Sequence, residues 1–147
     1  MMAANTLTGA SAVIMLSQPL LFPTPQQIQG FASDDVTDME QVKILESLMG
    51  VDGVLSFGFV YVERAQSIVL QANSASNAFF DTINVQQTAT QSVYPLNGTI
   101  TLPAIGTIFN CVNGALENYS PMPPVKKIIG PRRYRLVWNS VTPIPII

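Results

Sequence analysis

The side chains able to do chemistry in this sequence are few and segregated. Asp34, Asp35, Asp38, Glu40, Glu46 and Asp52 crowd one stretch, relieved only by Lys43. Lys126, Lys127, Arg132, Arg133 and Arg135 crowd another near the C-terminus. With no His and a single Cys, Cys111, the chain cannot build a Ser-His-Asp or Cys-His nucleophile, a zinc site of His or several Cys, or an intrachain disulfide. Cys111 reads as a small core residue on a strand. Asp34, Asp35 and Asp38 could chelate a cation, but they lack the loop pattern of a calcium site and read as an exposed acidic loop. Gly50-Val51-Asp52-Gly53 is a turn and not a phosphate-binding loop. No catalytic residue, cofactor or metal follows from these residues, and an enzyme is not expected.

The two charge clusters have two readings. They are solvated faces, or they are the halves of a contact between copies, in which complementary charge fixes register and partner more than affinity. As a contact, its residues would be Asp34, Asp35, Asp38, Glu40, Lys126, Lys127, Arg132, Arg133 and Arg135. A nucleic-acid reading of the basic cluster lacks a supporting motif, and the chain is acidic overall. Tyr134 and Trp138 with Arg133 and Arg135 could form a stacking platform, although strand alternation favours a core-facing aromatic pair. The Asn97-Gly98-Thr99 and Asn118-Tyr119-Ser120 triplets match a glycosylation sequon and read more simply as turn and strand-end residues.

These residues must be positioned by a mostly β chain. Of 147 residues, 48% are hydrophobic and only 11% charged, with a net charge of −2, so copies repel one another weakly. Such a chain suits a subunit that works inside an assembly, with a poorly charged monomer as the alternative reading. The length suits one domain with a real core. Residues 12–22 are too short and too interrupted to span a bilayer and lack the basic start of a signal peptide, so folding in a cytoplasm is expected.

One stretch, 73–91 (NSASNAFFDTINVQQTATQ), reads as a helix. Asn73 or Ser74 would cap it, Phe79, Phe80 and Ile83 would form its apolar face, and Ser76, Asn77, Asp81, Asn84 and Gln91 would point mainly away. Around it, residues 10–16 predict a buried first strand, 22–25 a proline turn or linker, and 26–31 a second strand. Residues 36–48 carry mixed periodicity and are read as extended. The turn at 49–53 leads into a long strand over 54–63, with Gly58 as a bulge or close approach, and then a short strand over 66–71. Asn97-Gly98, Pro103–Gly106 and Asn113-Gly114 read as turns separating strands 99–102, 107–112 and 115–119. Residues 120–124 break the sheet. Over 132–141 Tyr134, Leu136 and Trp138 alternate with Arg133, Arg135, Val137 and Asn139. The expected fold is antiparallel, with about seven to nine strands and one flanking helix.

The succession of motifs resembles the tail tube proteins of contractile-tailed bacteriophages. It is carried by MAANTLTG (2–9), QGFASDD (29–35), MGVDGVLSFGFVYV (49–62), IVLQANSASNAFFDTI (68–83), TLPAIG (101–106), PMPPVKKII (121–129) and PRRYRLVWNSV (131–141). The resemblance implies a mainly β subunit, an antiparallel β-sandwich or partial barrel with a helix on its flank. Six copies would form a β-lined ring, and rings would stack into a tube. It implies as partners other copies of the chain, the tail sheath protein, the tape measure protein, DNA passing without sequence-specific binding, and baseplate and terminator proteins at the tube ends. No membrane anchor is implied. The location would be the virion tail, assembled in the host cytoplasm.

A conduit for a polyanion should avoid dense Lys and Arg, so the basic cluster is expected away from the lumen. Residues 33–48 are the expected assembly loop or hairpin reaching the next ring. Rival readings are a terminator, baseplate-hub or bacteriocin ring protein, and a monomeric β-sandwich ligand-binding module.

Overall fold

The computed structural model describes residues 12–31 and 37–146. Nine strands and one helix follow in the order β1 (Val13–Gln18), β2 (Phe22–Ile28), β3 (Thr37–Met39), β4 (Leu45–Met49), β5 (Leu55–Phe59), β6 (Arg64–Leu70), α1 (Asn77–Thr90), β7 (Leu96–Leu102), β8 (Thr107–Tyr119) and β9 (Arg132–Pro145). Seven strands make one antiparallel sheet in the order β2-β1-β7-β8-β9-β6-β3, and β4 and β5 pair only with each other. The expected antiparallel, mainly β fold with one helix is what the chain adopts, and the large sheet is rolled without closing into a barrel. The roll is visible in the chain leaving β2. Gly30 accepts a backbone hydrogen bond from Gln71, and Phe31 bridges Leu70, so one edge of the sheet reaches the strand beside its other edge.

The rolled sheet buries its concave face beneath the helix. Ile14, Leu16, Ile28, Ile68, Leu70, Leu96, Ile100, Tyr134, Leu136 and Trp138 meet Phe79, Phe80 and Ile83 there. The helical trio is buried as its spacing predicts, with Phe80 stacked on Tyr134 at 4.2 Å between centroids and Phe79 tilted against Phe22 at 4.7 Å. Cys111 is buried in the same core, which pushes its thiol up to about 11.

Several local expectations are corrected. The helix begins at Asn77, later than expected, and neither Asn73 nor Ser74 caps it. The N-cap is Ser76, whose hydroxyl accepts from Gln29 N (2.8 Å) instead of capping the first turn. Asn77 does not face solvent. Its Nδ2 donates to Gln71 O, Ala72 O and Ser74 O, and its Oδ1 accepts from Tyr134 (2.7 Å), fastening the helix start to the sheet.

Phe22-Pro23-Thr24-Pro25 is part of edge strand β2, where the missing proline donors are tolerated because no strand lies beyond. The C-terminal stretch 143–145 continues β9 against β8. Residues 54–63 are not one long sheet strand, since β5 ends at Phe59, and Gly58 marks no bulge. Gln26–Phe31 contributes only its first residues to β2.

The two Asn-Gly pairs, read as turns, lie inside strands. Gly98 sits in β7 and Gly114 in the unbroken thirteen-residue β8. A Cβ on Gly114 would lie 2.3 Å from Trp138 Cε3, and one on Gly98 would lie 2.6 Å from Leu16 Cδ2 and 3.4 Å from Trp138 Cη2. Both glycines therefore make room for the Trp138 indole and its neighbours. A register shift between β7 and β8, with Asn113 at φ 51°, marks a bulge beside the indole.

Candidate assembly surface

Among the described residues no strand or helix packs on the β4–β5 hairpin. Its register places Leu45 opposite Phe59, Ser47 opposite Phe57 and Met49 opposite Leu55, so these six residues share one face. The five large apolar members of that face are 42–67% exposed. Tyr61, 92% exposed, stands edge-on to Phe59 at 5.0 Å. The opposite face carries Glu46 and Leu48.

At the tip Gly53 adopts φ 85°, and Asp52 Oδ1 accepts from Val54 N (3.1 Å), which shapes the tight turn that Asp-Gly predicts. Val51 projects fully into solvent. A lone two-stranded hairpin is marginally stable in water, and contiguous exposed apolar residues are a common feature of interaction surfaces. Covering five such side chains would contribute roughly 5–10 kcal/mol before ordering costs.

The hairpin is rooted at one end of the sheet. Glu40 N donates to Ala65 O (3.0 Å), which ties the chain entering the hairpin to the start of β6, and Val60 N donates to Ile44 O (3.0 Å), which joins the two arms at their base. Beside that root, Tyr61–Arg64 and Val137–Thr142 line a groove of about 770 Å³. Of the expected 33–48 assembly segment, the described residues supply β3, the approach and most of β4, and the hairpin runs on through β5 to Phe59. The apolar hairpin face went unread in the sequence, where 54–63 read as one long strand. The signal was present, since pairing outward from Asp52-Gly53 puts the aromatic residues on one side.

The residues of the two charge clusters part company. Asp34 and Asp35 lie outside the described residues. Asp38 is exposed on β3, Arg133 is exposed on β9, and Lys126 and Lys127 are exposed in the 120–131 loop. Glu40 and Arg135 meet within one chain, where Arg135 also bonds Glu117 Oε1 at 3.0 Å. Hydrogen bonding to Arg135 lowers the Glu40 carboxyl below its ordinary value.

Arg132 belongs to the inside of the subunit, at 6% exposure. Its guanidinium holds Asp81 in a fork at 2.7 and 3.1 Å, donates to Ser120 O and to the Tyr119 hydroxyl, and lies over the Tyr119 and Tyr134 rings. Strand parity explains this, since Arg132 shares the inward face of β9 with Tyr134 and Leu136. The Arg132 hydrogen bond holds the Asp81 carboxyl below its ordinary value, against burial, which pushes it up. Asp81, expected to point away from the sheet, thereby ties the helix to the β8–β9 end. Tyr134 and Trp138 are core residues, and Trp138 Nε1 donates to Gln66 Oε1 at 2.8 Å.

The convex face of β1, β7, the first half of β8 and the last part of β9 is free of charge. Antiparallel register aligns Met15, Thr99, Asn110 and Thr142 across it, with Ser17 beside Asn97 and Val13 beside Thr101. Among the described residues no cluster of three or more His, Cys, Asp or Glu could hold a metal ion, and no helix is long and apolar enough to cross a membrane.

A family model described as "Tail fiber protein gp32" matches residues 5–142. No curated protein sequence matches the chain. Solved structures do. A chain in the PVC sheath–tube complex of an extracellular contractile injection system, in the extended state, aligns at TM-score 0.68 and 13% identity, over 98% of this chain and 95% of that one. A chain of the anti-feeding prophage tube-terminating cap aligns at TM-score 0.64 and 12% identity, over 99% and 95%. A chain of the PVC sheath/tube terminator aligns at TM-score 0.62 and 12% identity, over 95% and 96%. At such identities the likeness is one of fold.

Proposed function

The chain belongs to the family described as tail fiber protein gp32, and from that premise we propose that it is a structural, non-enzymatic subunit whose rings stack into the inner tube of a phage-like contractile tail. The observation that carries this reading is the β4–β5 hairpin, an apolar arm left uncovered among the described residues. A second copy of the chain is the occupant that a self-stacking subunit requires. The fold shared with chains of a sheath–tube complex, a tube-terminating cap and a terminator is the fold such a role needs. The ring is proposed as a hexamer, with the sheath outside and the baseplate and terminator proteins at the ends.

The uncharged convex face supports a conduit. A wall of Ser, Thr, Asn and aliphatic side chains offers a sliding polyanion no array of cations to displace its counterions. The tape measure protein and then DNA would pass along it without sequence-specific contact. Arg133, Lys126, Lys127 and Asp38 lie outside that patch and are proposed at contacts between copies or with the sheath. Asp34 and Asp35 remain in the same proposed set by sequence. The particle location would be the virion tail.

Negative-stain microscopy of the purified chain tests the reading. Long tubes of stacked rings are expected, and replacing residues 45–59 with a short Gly-Ser link should leave soluble, folded subunits that form none. Single rings that never stack would favour a terminator or cap role, and a strict monomer would overturn the proposal.

A further inference from the structure

Opposite ends of the subunit carry complementary features that cannot meet within one chain. The hairpin leaves the sheet at the Arg64 end of β6, where Arg64 pairs with Trp138. The 120–131 loop leaves it at the Leu70 end, where Leu70 pairs with Arg132 and Tyr119 with Tyr134. Seven residues of strand separate these ends by about 20 Å. The hairpin is apolar and acidic, with Glu46 and Asp52 the charged residues of 44–61, and Glu46 also makes an exposed ion pair with Lys43 at 3.2 Å. The loop is apolar and basic, with Lys126 and Lys127 its charged residues. Its Met122, Val125, Ile128 and Ile129 are exposed, and neither lysine has an ion-pair partner among the described residues.

We propose that the hairpin of one copy docks on the 120–131 loop of the next copy, with Val51 and Leu48 against Val125 and Ile128, and with Asp52 and Glu46 facing Lys126 and Lys127. This deepens the assembly reading above and rests on it. The contact is head-to-tail, because donor and acceptor surfaces differ and lie at opposite ends. Such a heterologous contact does not end at a dimer, and where its rotation does not close into a ring it repeats as an open stack. Charge on both sides sets direction, since a hairpin meeting a hairpin would place acid against acid. Two neighbouring cations of the C-terminal cluster are engaged within the chain. Arg132 is spent on Asp81, and Arg135 on Glu40 and Glu117.

Charge reversal in the full chain is the test. Lys126→Glu with Lys127→Glu, and separately Glu46→Lys with Asp52→Lys, should each raise the concentration needed for tube formation at least tenfold. All four changes in one chain should restore it. As a second measurement, Val51→Cys with Ile128→Cys should give an oxidised ladder of covalently linked copies, because native Cys111 is buried.

Loss of stacking on hairpin replacement, but no rescue by the fourfold reversal and no ladder, would overturn this docking while leaving the assembly arm intact. Tubes that survive hairpin replacement would overturn both readings. Only intrachain cross-links would refute the head-to-tail geometry.

Discussion

Gly114→Ala should be among the most damaging single-methyl additions to this subunit. The new Cβ would sit 2.3 Å from Trp138 Cε3, 2.7 Å from Cζ3 and 2.7 Å from the Val137 carbonyl oxygen. Carbon atoms rest at about 3.5–4.0 Å, so the indole would have to retreat by more than about 1 Å. It has nowhere to go. Trp138 is 1% exposed, its Nε1 is held by Gln66, and Leu16 and Gly98 close the far side. Overpacking of a confined side chain costs about 1–3 kcal/mol, and this geometry sits at the upper end, about 3 kcal/mol. For a chain of this size the melting temperature should fall by roughly 6–12 °C.

The assay is urea or thermal unfolding of dilute, unassembled subunits followed by Trp138 fluorescence, with circular dichroism for variants that lack the indole. A cycle with Trp138→Leu identifies the cause, because the shorter side chain should relieve the Gly114→Ala penalty by at least about 1 kcal/mol. A Gly114→Ala loss below about 0.5 kcal/mol would refute the argument that this glycine exists to seat the indole. An unchanged penalty in the Trp138→Leu background would mean that the collision is with backbone instead.

Two further outcomes rest on the titrating groups. Hydrogen bonding to Arg132 sets the folded Asp81 pKa below its unfolded value of about 3.9, so the unfolded state binds more protons. The resulting stability is fully present above the unfolded value and is lost as pH falls through the lower folded value. Asp81→Asn should therefore cost about 1.5 kcal/mol at pH 7, discounted because the Asp81 side chain is 42% exposed, and the gap should close toward pH 2. A gap independent of pH in denaturant titrations would exclude the ion pair as its source. Cys111, buried with its thiol pushed up to about 11, should resist iodoacetamide at pH 8 in the folded subunit and react fully in urea. Labelling of the native chain at the rate of a free thiol would contradict its core position.

Much of the fold is local enough to read from the chain. Alternation over 132–138 needs only the two-residue period of a strand, so Tyr134, Leu136 and Trp138 declare their buried face, and Arg132 by the same parity. Phe79, Phe80 and Ile83 declare the helix face by spacing alone, and Asp52-Gly53 declares its turn because positive φ favours glycine. The scarcity of charge, the absence of His and the opposed clusters likewise belong to composition. They are legible without any knowledge of the fold.

Tertiary structure decided whatever depends on partners distant in the chain. Asn97-Gly98 and Asn113-Gly114 have turn composition, yet the indole of Trp138 claims the space that a side chain would fill, and no window around either glycine contains that tryptophan. Arg132 and Arg135 look alike beside Lys126 and Lys127. Only folding gives Arg132 to Asp81, Arg135 to Glu40, and leaves the two lysines facing outward. The apolar residues of 45–59 carry the hydrophobic pattern of buried strands. What distinguishes them is that β3 and β6 pair with each other and leave the hairpin outside the sheet. Hydrophobic periodicity fixes which side chains need covering. Chain topology decides whether the cover comes from the same molecule or from the next one.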